Sequence, residues 1–202
     1  MNFQLKSIIV STLFIGTFIM SIAGAICISH RETRETRDIL KDLYQIEQNV
    51  KIANQALREA ALAPTDELIE KELSILPVTK ASSTRIYSGL PNKPLKESDK
   101  QIIATLILER PDYRIAQLNV VQAIRSHNKQ VTWDMLHVYK VYQEIYTKHV
   151  DDLINSSETN LVIIKDKLIK RLIIIVGIFI LLQSLDKLYY VIKWKKYNDQ
   201  VN

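Results

Sequence analysis

From Ile8 to Ser29 the chain reads IIVSTLFIGTFIMSIAGAICIS, 22 residues without one charged side chain. At 1.5 Å per residue a helix of that length is about 33 Å long, the thickness of a bilayer's hydrocarbon core. A cleaved signal peptide is the rival, because Lys6 precedes the run and Ala23-Gly24-Ala25 mimics a cleavage site. Signal-peptide apolar regions are only about 7 to 15 residues long, so the run is expected to be an uncleaved transmembrane helix, residues 8–29, behind a cytoplasmic N-tail of residues 1–7. Cys27 follows Ile26, where lipoprotein processing needs a small residue, and reads as a thiol in apolar surroundings.

A second run, Leu172 to Leu185, has 14 residues, a length shared by core helices and spans. Its flanks decide. Lys167, Lys170 and Arg171 can snorkel outward on one side, and Leu188 to Ile192 extend the apolar length until Trp194 and Lys193, Lys195 and Lys196 stop it. Residues 172–192 are therefore expected to form a second transmembrane helix, followed by a basic cytoplasmic tail, residues 193–202. Asp186 and Lys187 interrupt it; mutual neutralisation near the inner interface is favoured over contact with a partner helix.

The net charge of +5 can now be placed. Five of the 27 cations (Lys6, Lys187, Lys193, Lys195 and Lys196) and two of the 22 acids (Asp186 and Asp199) lie outside residues 30–171, so the middle is nearly neutral. The basic excess is a positive-inside signal, with both termini cytoplasmic and one large loop on the outside of the membrane. No basic stripe with interleaved aromatics remains for nucleic acid. With 4 Gly, 5 Pro and one Cys, collagen, low-complexity disorder and disulfide scaffolds are excluded.

Residues 30–171 contain one glycine, Gly89, and few alternating β-branched runs, so helices are expected throughout. Ile39, Leu43, Ile46, Val50, Ala53, Leu57 and Ala60 recur at 4-3 spacing on one seam. Ala63-Pro64-Thr65 ends that helix, and Thr65 or Asp66 can cap the next, about residues 66–89, with Ile69, Leu73, Leu76, Ser83, Ile86 and Leu90 inward and a kink at Pro77. After the breaker Gly89-Leu90-Pro91-Asn92-Lys93-Pro94, Ser98 and Asp99 can cap a third helix carrying Ile102, Leu106, Tyr113, Ala116, Val120 and Ala123, bent at Pro111. Ser126 to Lys129 make a turn, and Thr132 can cap a fourth helix with Met135, Val138, Tyr142 and Ile145 inward, running on through Leu153, Leu161, Ile164 and Leu168 into the second span. The expected fold is all-α: an up-down-up-down four-helix bundle between two transmembrane helices.

Two stretches carry a family resemblance. Asn49 to Pro77, NVKIANQALREAALAPTDELIEKELSILP, combines an Arg/Ala/Leu helix end, a short acidic turn after a proline and an E-L-x-x-I/L-P helix; within Ser98 to Ala123, Arg110-Pro111-Asp112-Tyr113 stands where an R-x-x-Y pattern is usual. On these motifs the chain, over about residues 1–192, resembles the extracytoplasmic four-helix-bundle ligand-binding module of bacterial methyl-accepting chemotaxis receptors. The resemblance implies small-molecule sensing and transmembrane signal transduction. Such receptors continue after the second span into a linker and a long cytoplasmic hairpin with methylation sites, whereas ten residues, Lys193 to Asn202, follow here. The expectation is a stand-alone or truncated sensory module acting through a partner, a full-length chemoreceptor or a sensor kinase. The alternatives are a non-sensing membrane adaptor or structural bundle, and an inert truncated receptor.

No catalytic constellation is present. His30, His127, His137 and His149 have no partner at metal-ligand spacing, and neither a phosphate loop nor a nucleophile triad can be drawn, so no enzyme activity, metal or cofactor is expected. Because the resembling receptors bind ligands at the membrane-distal end, the candidate ligand residues are Arg58, Thr65, Arg125, Lys129, Thr132 and Trp133, near Glu59, Asp66, His127 and Asn128. Arg58, Arg125 and Lys129 can clamp a carboxylate against a Trp133 wall; an ordinary solvated bundle end is the alternative. Tyr139, Tyr142 and Tyr146 form a stripe suited either to a homodimer interface or to core packing. Ser21/Ala25 and Ala23/Cys27 have the small-xxx-small spacing that permits close helix contact in a dimer.

Overall fold

In a computed structural model, which describes the backbone of residues 3–201 and the side chains of residues 11–195, the described residues form helices and no strand. The expectations for Lys6, Lys196 and Asp199 fall on side chains outside that range. The elements are α1 (Phe3–Leu62), α2 (Asp66–Leu73), α3 (Ile75–Gly89), a 3₁₀ turn (Leu90–Asn92), α4 (Glu97–Arg125) and α5 (Lys129–Val201). Two of them, α1 and α5, are long and apolar enough to cross a membrane.

The breaks follow from local chemistry. Pro64 disfavours helical geometry at Ala63 and stops α1. Thr65 is extended (φ −133°, ψ 151°), and its Oγ1 accepts from the Leu68 N–H at 3.4 Å, the expected cap, with Asp66 and Glu67 facing the positive helix end. The single kinked helix expected over 66–89 is two helices, broken at Ser74 rather than bent at Pro77. The proline ring crowds the carbonyl four residues back, at Leu73, and offers it no N–H; at the third position of α3 the missing donor costs nothing. Inside α4, by contrast, the helix runs on through Pro111, whose ring leaves one backbone bond unmade.

Two expected caps are elsewhere. Helix α4 starts at Glu97 after Lys96, which makes no side-chain cap bond, and Asp99 is instead buried, accepting from Ser98 Oγ at 3.3 Å and Ser156 Oγ at 2.8 Å. Asn128, not Thr132, caps α5: its Oδ1 accepts from the Val131 N–H at 3.2 Å, while the buried Thr132 Oγ1 donates to the Asn128 carbonyl at 2.9 Å. His127 supplies the turn with a left-handed φ of 53°.

The chain divides into two compact units, Met1–Arg34 with Leu161–Asn202, and Glu35–Asn160. In the first, Phe14 and Phe18 stack on Phe179 with ring centroids 5.2 and 4.0 Å apart, and large apolar side chains such as Leu13, Met20, Ile173 and Leu181 are exposed.

In the Glu35–Asn160 unit, every expected seam residue of α1 from Ile39 to Ala60 is buried. Across it, Asn49 Nδ2 donates to Ser82 Oγ and Ser83 Oγ of α3, each at 3.1 Å. Arg110 of α4 donates to Thr84 of α3, Tyr113 of α4 bonds Tyr139 of α5 at 2.8 Å, and Tyr44 of α1 donates to Glu158 of α5 at 2.5 Å. The buried seam of α5 is rotated from the expected one. Leu136, Tyr139, Tyr146, Val150, Leu153 and Ser157 are buried, whereas Val138, Tyr142 and Ile145 are exposed.

Candidate functional site

The turn between α1 and α2 and the turn between α4 and α5 meet at one end of the Glu35–Asn160 unit, because Arg125, in the last turn of α4, reaches Glu70 of α2. Arg125 Nε and Nη2 donate to the two Glu70 carboxylate oxygens at 2.7 and 2.8 Å. The bidentate bonds hold the Glu70 carboxyl below its ordinary range and raise the guanidinium. On the same end His127 Nε2 lies 3.1 Å from Asp66.

Beside this pair a cleft of about 540 Å³ opens between the end of α1 and the start of α5, with Lys129, Thr132 and Trp133 on one wall and Ala60, Leu62 and Ile69 opposite. A second cleft, about 440 Å³, lies on the other side of Trp133 and is lined by Arg58, Asn54, His137 and Lys140. The indole of Trp133, 52% exposed, is common to both. Of the six candidate residues, Lys129, Thr132 and Trp133 share one cleft and Arg58 joins Trp133 in its neighbour. Arg125 lines neither, being held by Glu70, and Thr65 acts as a helix cap. A three-cation clamp is therefore replaced by an open, cation-lined end with an exposed aromatic wall. Such a surface can hold a small anion or zwitterion through exposed contacts.

A second polar cluster lies inside the unit. Tyr113 stacks on Tyr146 at 4.8 Å between centroids, Tyr146 donates to Tyr87, and the Arg110 guanidinium lies 5.2 Å from the Tyr87 ring centre. Burial raises all four phenols, pushing Tyr146 up to about 12 and Tyr87 and Tyr139 further, so each remains a protonated donor. The expected tyrosine stripe thus splits, with Tyr139 and Tyr146 in the core and Tyr142 outside. Tyr87 and Tyr113 recur on inward positions of α3 and α4 near Arg110 and Arg114, and that clustering of aromatic and cationic residues is the sequence signal for this interior.

On the outer side of α4 and α5 an apolar set is exposed: Leu108, Ile115, Leu118, Val138, Val141 and Ile145. Among the described residues, no three His, Cys, Asp or Glu side chains gather as a metal site. No family model matches the chain, and no curated protein or solved structure matches it.

Proposed function

We propose that the chain is a membrane-anchored, extracytoplasmic sensory module of chemoreceptor type, with two spans, both termini cytoplasmic, and a small-molecule ligand taken up beside Trp133. The observation that carries the reading is that α1 and α5 each combine an exposed apolar run of bilayer length with a buried 4-3 seam. The four legs of the bundle are α1, α2 with α3, α4, and α5. Their contacts support an up-down-up-down arrangement, since the partners run in opposite chain order: Thr36 with Asn160 and Tyr44 with Glu158, Asp42 with Lys93 and Asn49 with Ser82, Asp99 with Ser156 and Tyr113 with Tyr139, Glu70 with Arg125 and Thr84 with Arg110. A ligand that draws Arg58 of α1 and Lys129 of α5 together shifts one leg against another by an ångström or two, the displacement that packed helices transmit. The exposed apolar side of α4 and α5 is a surface for a second copy or for a partner such as a full-length chemoreceptor or a sensor kinase.

The test is a thermal-shift screen of the detergent-solubilised full chain with amino acids and organic acids. A bound ligand raises the melting temperature by mass action, and Lys129→Ala with Arg58→Ala abolishes the shift. No hit among carboxylates, or a hit indifferent to both substitutions, defeats the sensory reading. One observation favours a second reading, a non-sensing membrane adaptor: Arg125 is already committed to Glu70, and the remaining cations at this end are solvent-exposed. An adaptor gives no hit and still recovers a partner from membranes.

A further inference from the structure

Within the Glu35–Asn160 unit, away from the Trp133 clefts, a small space of about 10 Å³ is lined by residues of all four legs, among them Asn49, Ser83, Arg114, Gln117 and Tyr146. That is room for about one water molecule or one monatomic ion. Its polar groups are unevenly matched. Arg114 donates through Nη1 to Gln117 Oε1 at 3.1 Å, which uses the amide's oxygen and leaves its nitrogen to find another partner. Gln117 is 95% buried, as its relative exposure is 5%, and its Nε2 has no partner; Arg114 Nε is likewise buried and unpartnered. Both orphan atoms carry only N–H, so whatever fills the space must accept.

The charge balance points the same way. No carboxylate pairs with Arg114 among the described residues; its ionisable neighbours are the Arg110 cation and the neutral phenols of Tyr113, Tyr139 and Tyr146. Asn49 has spent its amide protons on Ser82 and Ser83, and its Oδ1 already accepts from Gln45 Nε2 at 3.2 Å. A half-buried guanidinium beside a second cation and without a counter-ion is costly, and the buried unpaired N–H groups add to that cost. Water can satisfy the N–H groups but leaves the charge unbalanced. A monatomic anion satisfies both.

We propose that Arg114 and Gln117 hold one halide ion, chloride under physiological conditions, inside the bundle, in a site independent of any ligand at the Trp133 end. The ion ties α4 to the α1 and α3 legs through the groups that line the space with it. Melting of the full chain in detergent, at constant ionic strength with chloride exchanged for gluconate, tests this directly. Above the dissociation constant the melting temperature should rise by about 3 to 5 °C per tenfold increase in chloride and stay flat in gluconate, which is too large to enter. Arg114→Met should lose that dependence. If Arg114→Met does not fold, Gln117→Leu, which removes one donor, should shift the chloride midpoint at least tenfold upward, and a bromide-grown crystal should show an anomalous peak beside Arg114 Nε. Identical melting in the two salts, chloride dependence that survives in Arg114→Met, an unmoved midpoint in Gln117→Leu, or no bromide peak would each mean that water fills the space and would overturn the proposal.

Discussion

Two valines twelve residues apart on α5 put the packing to a direct test. Val150 is fully buried (0% exposed) and Val138 is 42% exposed, so Val→Ala is the same chemical deletion in two environments on one helix. At Val150 the transfer term for two carbons is about 1.6 kcal/mol at roughly 0.8 kcal/mol per buried methylene. A residual cavity of about 30 Å³ adds about 0.7 kcal/mol at 24 cal/mol per Å³. Alanine's better helix propensity returns up to about 0.6 kcal/mol at either site. The net cost at Val150 is therefore about 1.7 to 2.3 kcal/mol, a fall in melting temperature of roughly 3 to 9 °C at about 2–4 °C per kcal/mol. At Val138 the propensity gain offsets the small loss of partial burial, and the change should stay within about 0.5 kcal/mol. Circular dichroism melts of both variants in the same detergent measure the difference. Equal destabilisation of the two would refute the seam through Tyr139, Tyr146 and Val150 and restore the one through Val138, Tyr142 and Ile145.

Other perturbations test other joints. Thr65→Ala should cost about 0.5 to 1 kcal/mol, the low end for an N-cap because the bond to Leu68 is long, and Thr65→Asp should restore it in the same melts. Tyr139→Phe strands the buried Tyr113 hydroxyl and should cost about 1 to 3 kcal/mol, while Tyr113→Phe with Tyr139→Phe should cost less than the sum of the single changes in a double-mutant cycle. Arg125 lowers the Glu70 carboxyl, so their pair contributes fully above the unfolded carboxylate value of about 4.3 and loses its contribution as pH falls through the lower folded value. Because both side chains are largely exposed, Glu70→Gln should remove only a small, salt-sensitive part of the acid limb of a stability–pH profile. A large loss that persists in high salt would contradict this.

The sequence was legible where inward positions are uniformly apolar and opaque where they are not. Helix α1 has Ile39, Leu43, Ile46, Val50, Ala53, Leu57 and Ala60 at every step of its seam, and all are buried. Helix α5 keeps the same 4-3 spacing through Thr132, Leu136, Tyr139, Gln143, Tyr146, Val150, Leu153 and Ser157, but Thr132, Gln143 and Ser157 hide it. The apolar set on its outer side, Val138, Tyr142 and Ile145, imitates a core face. The 66–89 break was visible as a proline, yet its place at Ser74 depends on a clash one turn back. At the candidate site the residue types were readable and their allegiances were not. Arg125 meets Glu70 across 55 residues of chain, a pairing that no local pattern encodes, and that contact removes it from the clefts where Arg58, Lys129 and Trp133 remain.

The central claim, a bundle held outside the membrane by two spans, is tested most directly by thiol labelling in intact cells. On a Cys27→Ser background, Ser126→Cys places a thiol in the exposed turn between α4 and α5, and Lys195→Cys places one in the basic tail after the second apolar run. A membrane-impermeant maleimide should label Ser126→Cys in whole cells and Lys195→Cys only after lysis. Labelling of both, or of neither, before lysis would contradict the two-span topology and the sensory function built on it.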